Sequence, residues 1–99
     1  MVHLGLFARL HAKPGKEAEL GQFLRQGLEL ANQEQKTVVW FALQFDRATF
    51  GIFDAFVDES GRQAHLDGRI AAALMAKASD LLAQPPSIEK VDVIAAKGG

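Results

Sequence analysis

The chain of 99 residues has eleven Lys and Arg against twelve Asp and Glu, a net charge of −1, and no cysteine. One domain fits that length, and a domain this small buries only about two-thirds of the surface its unfolded chain exposes. Without a basic stripe, nucleic acid and anionic membranes are poor partners. Without cysteine, disulfides, thiolate catalysis and zinc ribbons are excluded, as expected of a cytoplasmic protein.

In chain order, MVHLGLFARLHA lacks a positive leader and carries Arg9, so it reads as a strand rather than an export signal. Val2, Leu4, Leu6, Ala8 and Leu10 take one side, and His3, Phe7, Arg9 and His11 the other. Pro14-Gly15 breaks the chain before a helix whose Leu20, Phe23, Leu24, Gly27, Leu28 and Ala31 recur at three and four residues as one buried stripe. TVVWFALQF and TFGIFDAFV are β-branched and aromatic, and Asp46-Arg47-Ala48-Thr49 between them is short enough for a tight turn. From Asp58 a second helical stretch runs through Ala64, Leu66, Ile70, Leu74, Ala78, Leu81 and Leu82, with a break at Gly68 and a stop at Pro85-Pro86. SIEKVDVIAA alternates as a fourth strand, and Lys97-Gly98-Gly99 is expected to be a loose end. The longest apolar runs, Val38–Leu43 and Ile70–Ala76, are six and seven residues, against the ~20 that span a bilayer; no membrane segment is expected.

The order β-α-β-β-α-β predicts an α+β, ferredoxin-like fold, a four-stranded antiparallel sheet with its helices on one face. The hairpin can pair with Phe45 opposite Thr49 or opposite Phe50. In the second register Val39, Phe41, Leu43, Phe45, Phe50, Ile52, Asp54 and Phe56 share the helix face. Val38, Trp40, Ala42, Gln44, Gly51, Phe53, Ala55 and Val57 then share the other. Leaving Val38, Trp40, Phe53 and Val57 in water forfeits roughly 1.5–3 kcal/mol for each large side chain. A second copy is the simplest cover, so a homodimer through the sheet face is expected.

Two polar residues stand out among the apolar ones. His65, between Ala64 and Leu66, is a candidate base toward a phenol or enol if it faces the cleft, and otherwise a local capping histidine. Asp54, on the helix face, must be paired, hydrated or neutralised; it either fixes packing or orients His65 or a substrate hydroxyl. His3 and His11 lie ~26 Å apart along an extended strand and cannot share a metal ion, and no other metal site is indicated. The chain has neither a dinucleotide nor a P-loop fingerprint, so no bound nucleotide cofactor is expected.

The segments LFARLHAKPGKEAELGQFL and FDAFVDESGRQAHLDGRIAAAL resemble the antibiotic biosynthesis monooxygenase family across nearly the whole chain. Lys13 to Lys16 before the first helix, Asp54 in the third strand and Ala64-His65-Leu66 carry the likeness. The resemblance implies a dimeric α+β barrel with a ligand cleft between sheet and helices. In some members it implies oxygenation of aromatic or quinol-like substrates without metal or flavin. The anthrone-oxidising branch resembles this chain with Trp at Phe56, Asn at Ile52 and Tyr at Arg62; those residues are absent here. The haem-degrading branch looks to need Asn at Ala8, Trp at His65 and His at Met75, which are equally absent. The expectation is an oxygenase with His65 as base, Asp54 as its partner, and Phe41, Ile52, Phe56 and Leu74 against a small hydrophobic substrate. The alternative is a non-catalytic ligand-binding or accessory protein of the same fold.

Overall fold

In the computed structural model, which describes residues 1–99, the elements are β1 (Leu4–His11), α1 (Glu17–Gln33), β2 (Val39–Gln44), β3 (Thr49–Phe56), α2 (Glu59–Leu66), α3 (Arg69–Leu81) and β4 (Ser87–Asp92). The strands form one antiparallel sheet in the order β2-β3-β1-β4. This is the expected ferredoxin-like α+β arrangement, with the second helical stretch divided at Asp67-Gly68. No helix is long and apolar enough to cross a membrane.

The core lies between the sheet and the helices. Leu10 of β1, Leu20 and Leu24 of α1, Phe50 and Ile52 of β3, and Leu74 and Leu81 of α3 pack there. β1 and β3 are internal strands, so both of their edges are hydrogen-bonded. β2 and β4 are the exposed edges. The C-terminal end of α3 is tied to the end of β1 by Ala83 N–H donating to His11 O and Lys13 N–H donating to Leu81 O, each at 2.8 Å.

The structure decides the hairpin register and corrects the expectations for Phe41, Trp40, Leu28 and Gly99. The hairpin takes the register with Phe45 opposite Thr49: Gln44 pairs with Phe50, Ala42 with Ile52 and Trp40 with Asp54. Asp46 selects it, because its Oδ1 accepts from the N–H groups of Ala48 (3.0 Å) and Thr49 (2.8 Å) while Phe45 N–H donates to Thr49 O. A one-residue slip exchanges the two faces of a strand. Trp40, Ala42 and Gln44 therefore join the helix side, and Val39, Phe41, Leu43 and Phe45 the open side. Phe41 is 53% exposed instead of lining the cleft, and Trp40 is not part of the outer face. In α1, Leu28 falls outside the buried stripe. The C-terminal Gly99 is tied back by its carbonyl, which accepts from Val2 N–H at 3.0 Å.

On the open side Phe45 lies across Gly51, where a Cβ would meet the ring at 3.0 Å. Phe45 meets Phe7 edge to face, with a centroid distance of 6.2 Å, and the Arg9 guanidinium stacks 4.6 Å above the Phe45 ring. Phe41, Leu43 and Val57 are exposed on or beside this surface.

Two residues of the predicted stripe separate core from surface. Leu20 is fully buried and Leu28 is 48% exposed, so Leu20→Ala is expected to cost about 2–5 kcal/mol and Leu28→Ala less than about 0.5. Urea unfolding of the two variants measures the difference.

Candidate functional site

Strand alternation places Asp54 on the helix face of β3, directly across from Trp40 and between Ile52 and Phe56. Only 2% of Asp54 is exposed, and its Oδ2 lies 3.0 Å from His65 Nε2. The phase of α2 is set at its first turn. Asp58 Oδ1 accepts from Gly61 N–H at 3.1 Å and from the Ser60 hydroxyl at 2.6 Å, and Gly61, Arg62 and His65 then face inward. Arg62 does not reach the cleft. It donates to the carbonyls of Gly5 and Val91 and pairs with Glu59, fastening α2 to the sheet.

The other ring nitrogen of His65 is also engaged. Glu34, just past the end of α1, places Oε1 2.6 Å from His65 Nδ1 and accepts the Thr37 hydroxyl at 2.7 Å on the same oxygen. Gly68 makes room for this carboxylate: a Cβ there would stand 2.9 Å from Glu34 Oε2 and 3.1 Å from Ala64 O. The result is a row, Glu34–His65–Asp54, with the imidazole in the middle. Burial disfavours the imidazolium, but the hydrogen bond and charge of Asp54, followed by those of Glu34, outweigh it and raise the His65 pKa above the ordinary 6.5. Phe56, fully buried, supports the ring from 5.5 Å.

Asp54 and His65 form the polar corner of an otherwise apolar cavity of about 50 Å³. Leu6, Ala8, Trp40, Ile52 and Ile88 line it from the sheet, Phe23, Leu24 and Gly27 from α1, and Leu66, Ile70, Ala71 and Leu74 from α2 and α3. A space this size holds a few waters, whereas a benzene ring occupies a cavity nearer ~150 Å³. A ring-sized ligand thus requires the cavity to widen; Phe23 and Leu66 in its wall are half-buried. His65 also borders an outer polar groove with Glu34, Lys36, Gly68 and Arg69, so the row joins the cavity to the surface. Three buried polar atoms at or near this site have no hydrogen-bond partner: Asp54 Oδ1, Trp40 Nε1 and Glu34 Oε2. Glu34 and Asp54 address opposite nitrogens of one ring, and no three metal-ligating side chains converge on a common point.

Of the residues singled out from sequence, the structure brings His65 and Asp54 together and places Ile52 and Leu74 in the cavity wall. Phe56 stands behind His65 rather than in the wall, and Phe41 is on the opposite side of the sheet. Glu34 and Trp40 were not foreseen. Glu34 is 31 residues from His65 with no shared local pattern. For Trp40 the signal was the alternative hairpin register.

No protein-family model and no curated protein matches the sequence. Among solved structures, a Nitrosomonas europaea protein of unknown function is 63% identical over 98% of this chain and 94% of its own, with a TM-score of 0.96. The chain belongs to the same family as that protein. A second Nitrosomonas europaea protein, provisionally named an antibiotic biosynthesis monooxygenase, is 16% identical over 97% of this chain and 94% of its own, with a TM-score of 0.84. A Caulobacter crescentus protein with the same provisional name is 18% identical over 95% and 92%, with a TM-score of 0.81. At these identities the likeness concerns the fold. The ferredoxin-like α+β fold is thus shared with proteins of that provisional name.

The raised His65 pKa links this site to stability. Its contribution is complete below about pH 6.5 and is lost as pH rises through the higher folded value. Urea unfolding from about pH 5.5 to 9 is expected to show that decline, and the His65 ring signals in NMR to titrate above 6.5. A midpoint at or below that value removes the imidazolium from the site.

Proposed function

We propose that the protein is a small oxygenase that takes a hydrophobic aromatic substrate, phenolic or quinol-like with an activated methylene, into the sheet–helix cavity and oxidises it with dioxygen. The observation that supports this most directly is Asp54. One carboxylate oxygen is held by His65, and the other is buried and unpartnered beside an apolar cavity. His65 lies between the carboxylates of Glu34 and Asp54, and of the two only Asp54 lines the apolar cavity.

Asp54 Oδ1 is then the acceptor for a substrate proton, and His65, both of whose nitrogens are occupied, holds Asp54 in place. The substrate anion left behind is electron-rich enough to reduce dioxygen. An oxygen–carbon bond forms at the former methylene to give a hydroperoxide, and cleavage of its oxygen–oxygen bond with loss of water leaves a carbonyl. One methylene and one dioxygen thus become one carbonyl and one water, and the sum balances without another reductant. Glu34, at the outer groove, offers the proton a route to solvent through His65. The provisional names of the two proteins that share the fold point the same way.

A non-catalytic ligand-binding protein is the second reading, favoured by the absence of a free nitrogen on His65. Oxygen uptake with anthrones, which carry the activated methylene, distinguishes the two. Consumption above the blank, reduced about 10²–10⁴-fold in Asp54→Asn, is the expected result. No uptake with any substrate, or an unaltered rate in Asp54→Asn, removes the oxygenase.

The same reading includes a homodimer. The open sheet face presents Phe41, Leu43, Phe45 and Val57 to solvent, a cost no small domain sustains easily. Sedimentation at micromolar concentration is expected to give twice the 10.7 kDa chain mass. Phe41→Asp is expected to return it to the monomer.

A further inference from the structure

The unpartnered atoms in the cavity wall are of opposite kinds. Asp54 Oδ1 accepts hydrogen bonds and Trp40 Nε1–H donates one, and both are shielded from solvent without a partner. Their residues face each other across the β2–β3 pair, on the same side of the sheet, and both line the cavity. Directly opposed residues of an antiparallel pair hold their Cβ atoms about 4.5–5.5 Å apart, so one small group can lie against both side chains. Buried polar atoms are paired in the great majority of cases, so a buried donor and a buried acceptor without partners on two facing residues can be satisfied together by one group of mixed character.

We propose that this pair is a recognition site for a single neutral hydroxyl on an apolar ligand, with Trp40 as a specificity-determining residue. On an apolar ligand body, a hydroxyl is the smallest group that both donates, here to Asp54 Oδ1, and accepts, here from Trp40 Nε1–H. An ether or carbonyl satisfies only Trp40 and leaves Asp54 bare. A carboxylate brings a second negative charge against Asp54 with no counter-charge of its own. The remaining wall is hydrocarbon, which selects the body of the ligand by shape and leaves its polarity to this one corner. The inference rests on the cavity of the proposed function being a ligand site, but it concerns binding and not oxygen chemistry.

The chain has one tryptophan, so its indole N–H gives a single NMR signal that belongs to Trp40. Titrating the full-length protein with phenol, anisole, toluene and benzoate, with oxygen removed, tests the proposal. Phenol is expected to bind at least about five-fold more tightly than anisole or toluene and to move the indole proton downfield; benzoate is expected not to bind. In Trp40→Phe, the preference for phenol over toluene is expected to fall by a similar factor. Equal affinities for phenol and toluene, or an indole signal that phenol leaves in place, overturn the proposal, and both are read on the wild-type chain. A hydroxyl preference without any oxygen uptake supports this site and removes only the oxygenase. Uptake without the preference does the reverse.

Discussion

The turn at Asp46 governs more of this molecule than its size suggests. By accepting from the backbone N–H groups of Ala48 and Thr49 it closes the hairpin with Phe45 opposite Thr49. Since side chains alternate strictly along a strand, that choice sends Trp40 toward the helices and Phe41 toward the open face. The place of Trp40 opposite Asp54 on the helix side and the apolar outer surface are two consequences of one local set of hydrogen bonds. Had the hairpin closed one residue later, the indole would have been outside and the cavity wall would have been wholly different in character.

The row Glu34–His65–Asp54 is a costly feature of the interior. Desolvating one imidazole and two carboxylates is unfavourable unless each supports the other, and the arrangement does so through both ring nitrogens. Three elements converge to make it: the end of α1, the middle of β3 and the last turn of α2. Gly68 keeps the space that Glu34 needs. In the proposed function this expense leaves one carboxylate oxygen available to the substrate.

The two sides of the sheet divide the labour. The helix-covered side provides a small enclosed space with one polar corner, and the open side carries aromatic surface steadied by Arg9 over Phe45. A shared fold does not carry an activity with it. Here the functional reading stands on Asp54 and its surroundings, and the family to which the chain belongs places it beside a protein whose function is unknown.

Sequence by itself determined the element order, the break at Gly68, the sheet with helices on one face, and the prominence of Asp54 and His65. Periodicity and turn chemistry are local properties, and a lone aspartate or histidine among apolar residues is visible without knowing its neighbours. Only the tertiary structure decided the hairpin register, and with it the places of Trp40 and Phe41, because both registers satisfied the same alternation. It alone found Glu34, since a contact between the end of one helix and the last turn of another leaves no trace in spacing. It also turned Phe56 from a wall of the cleft into a support for His65, for burial of a side chain says nothing of which neighbour it is buried against.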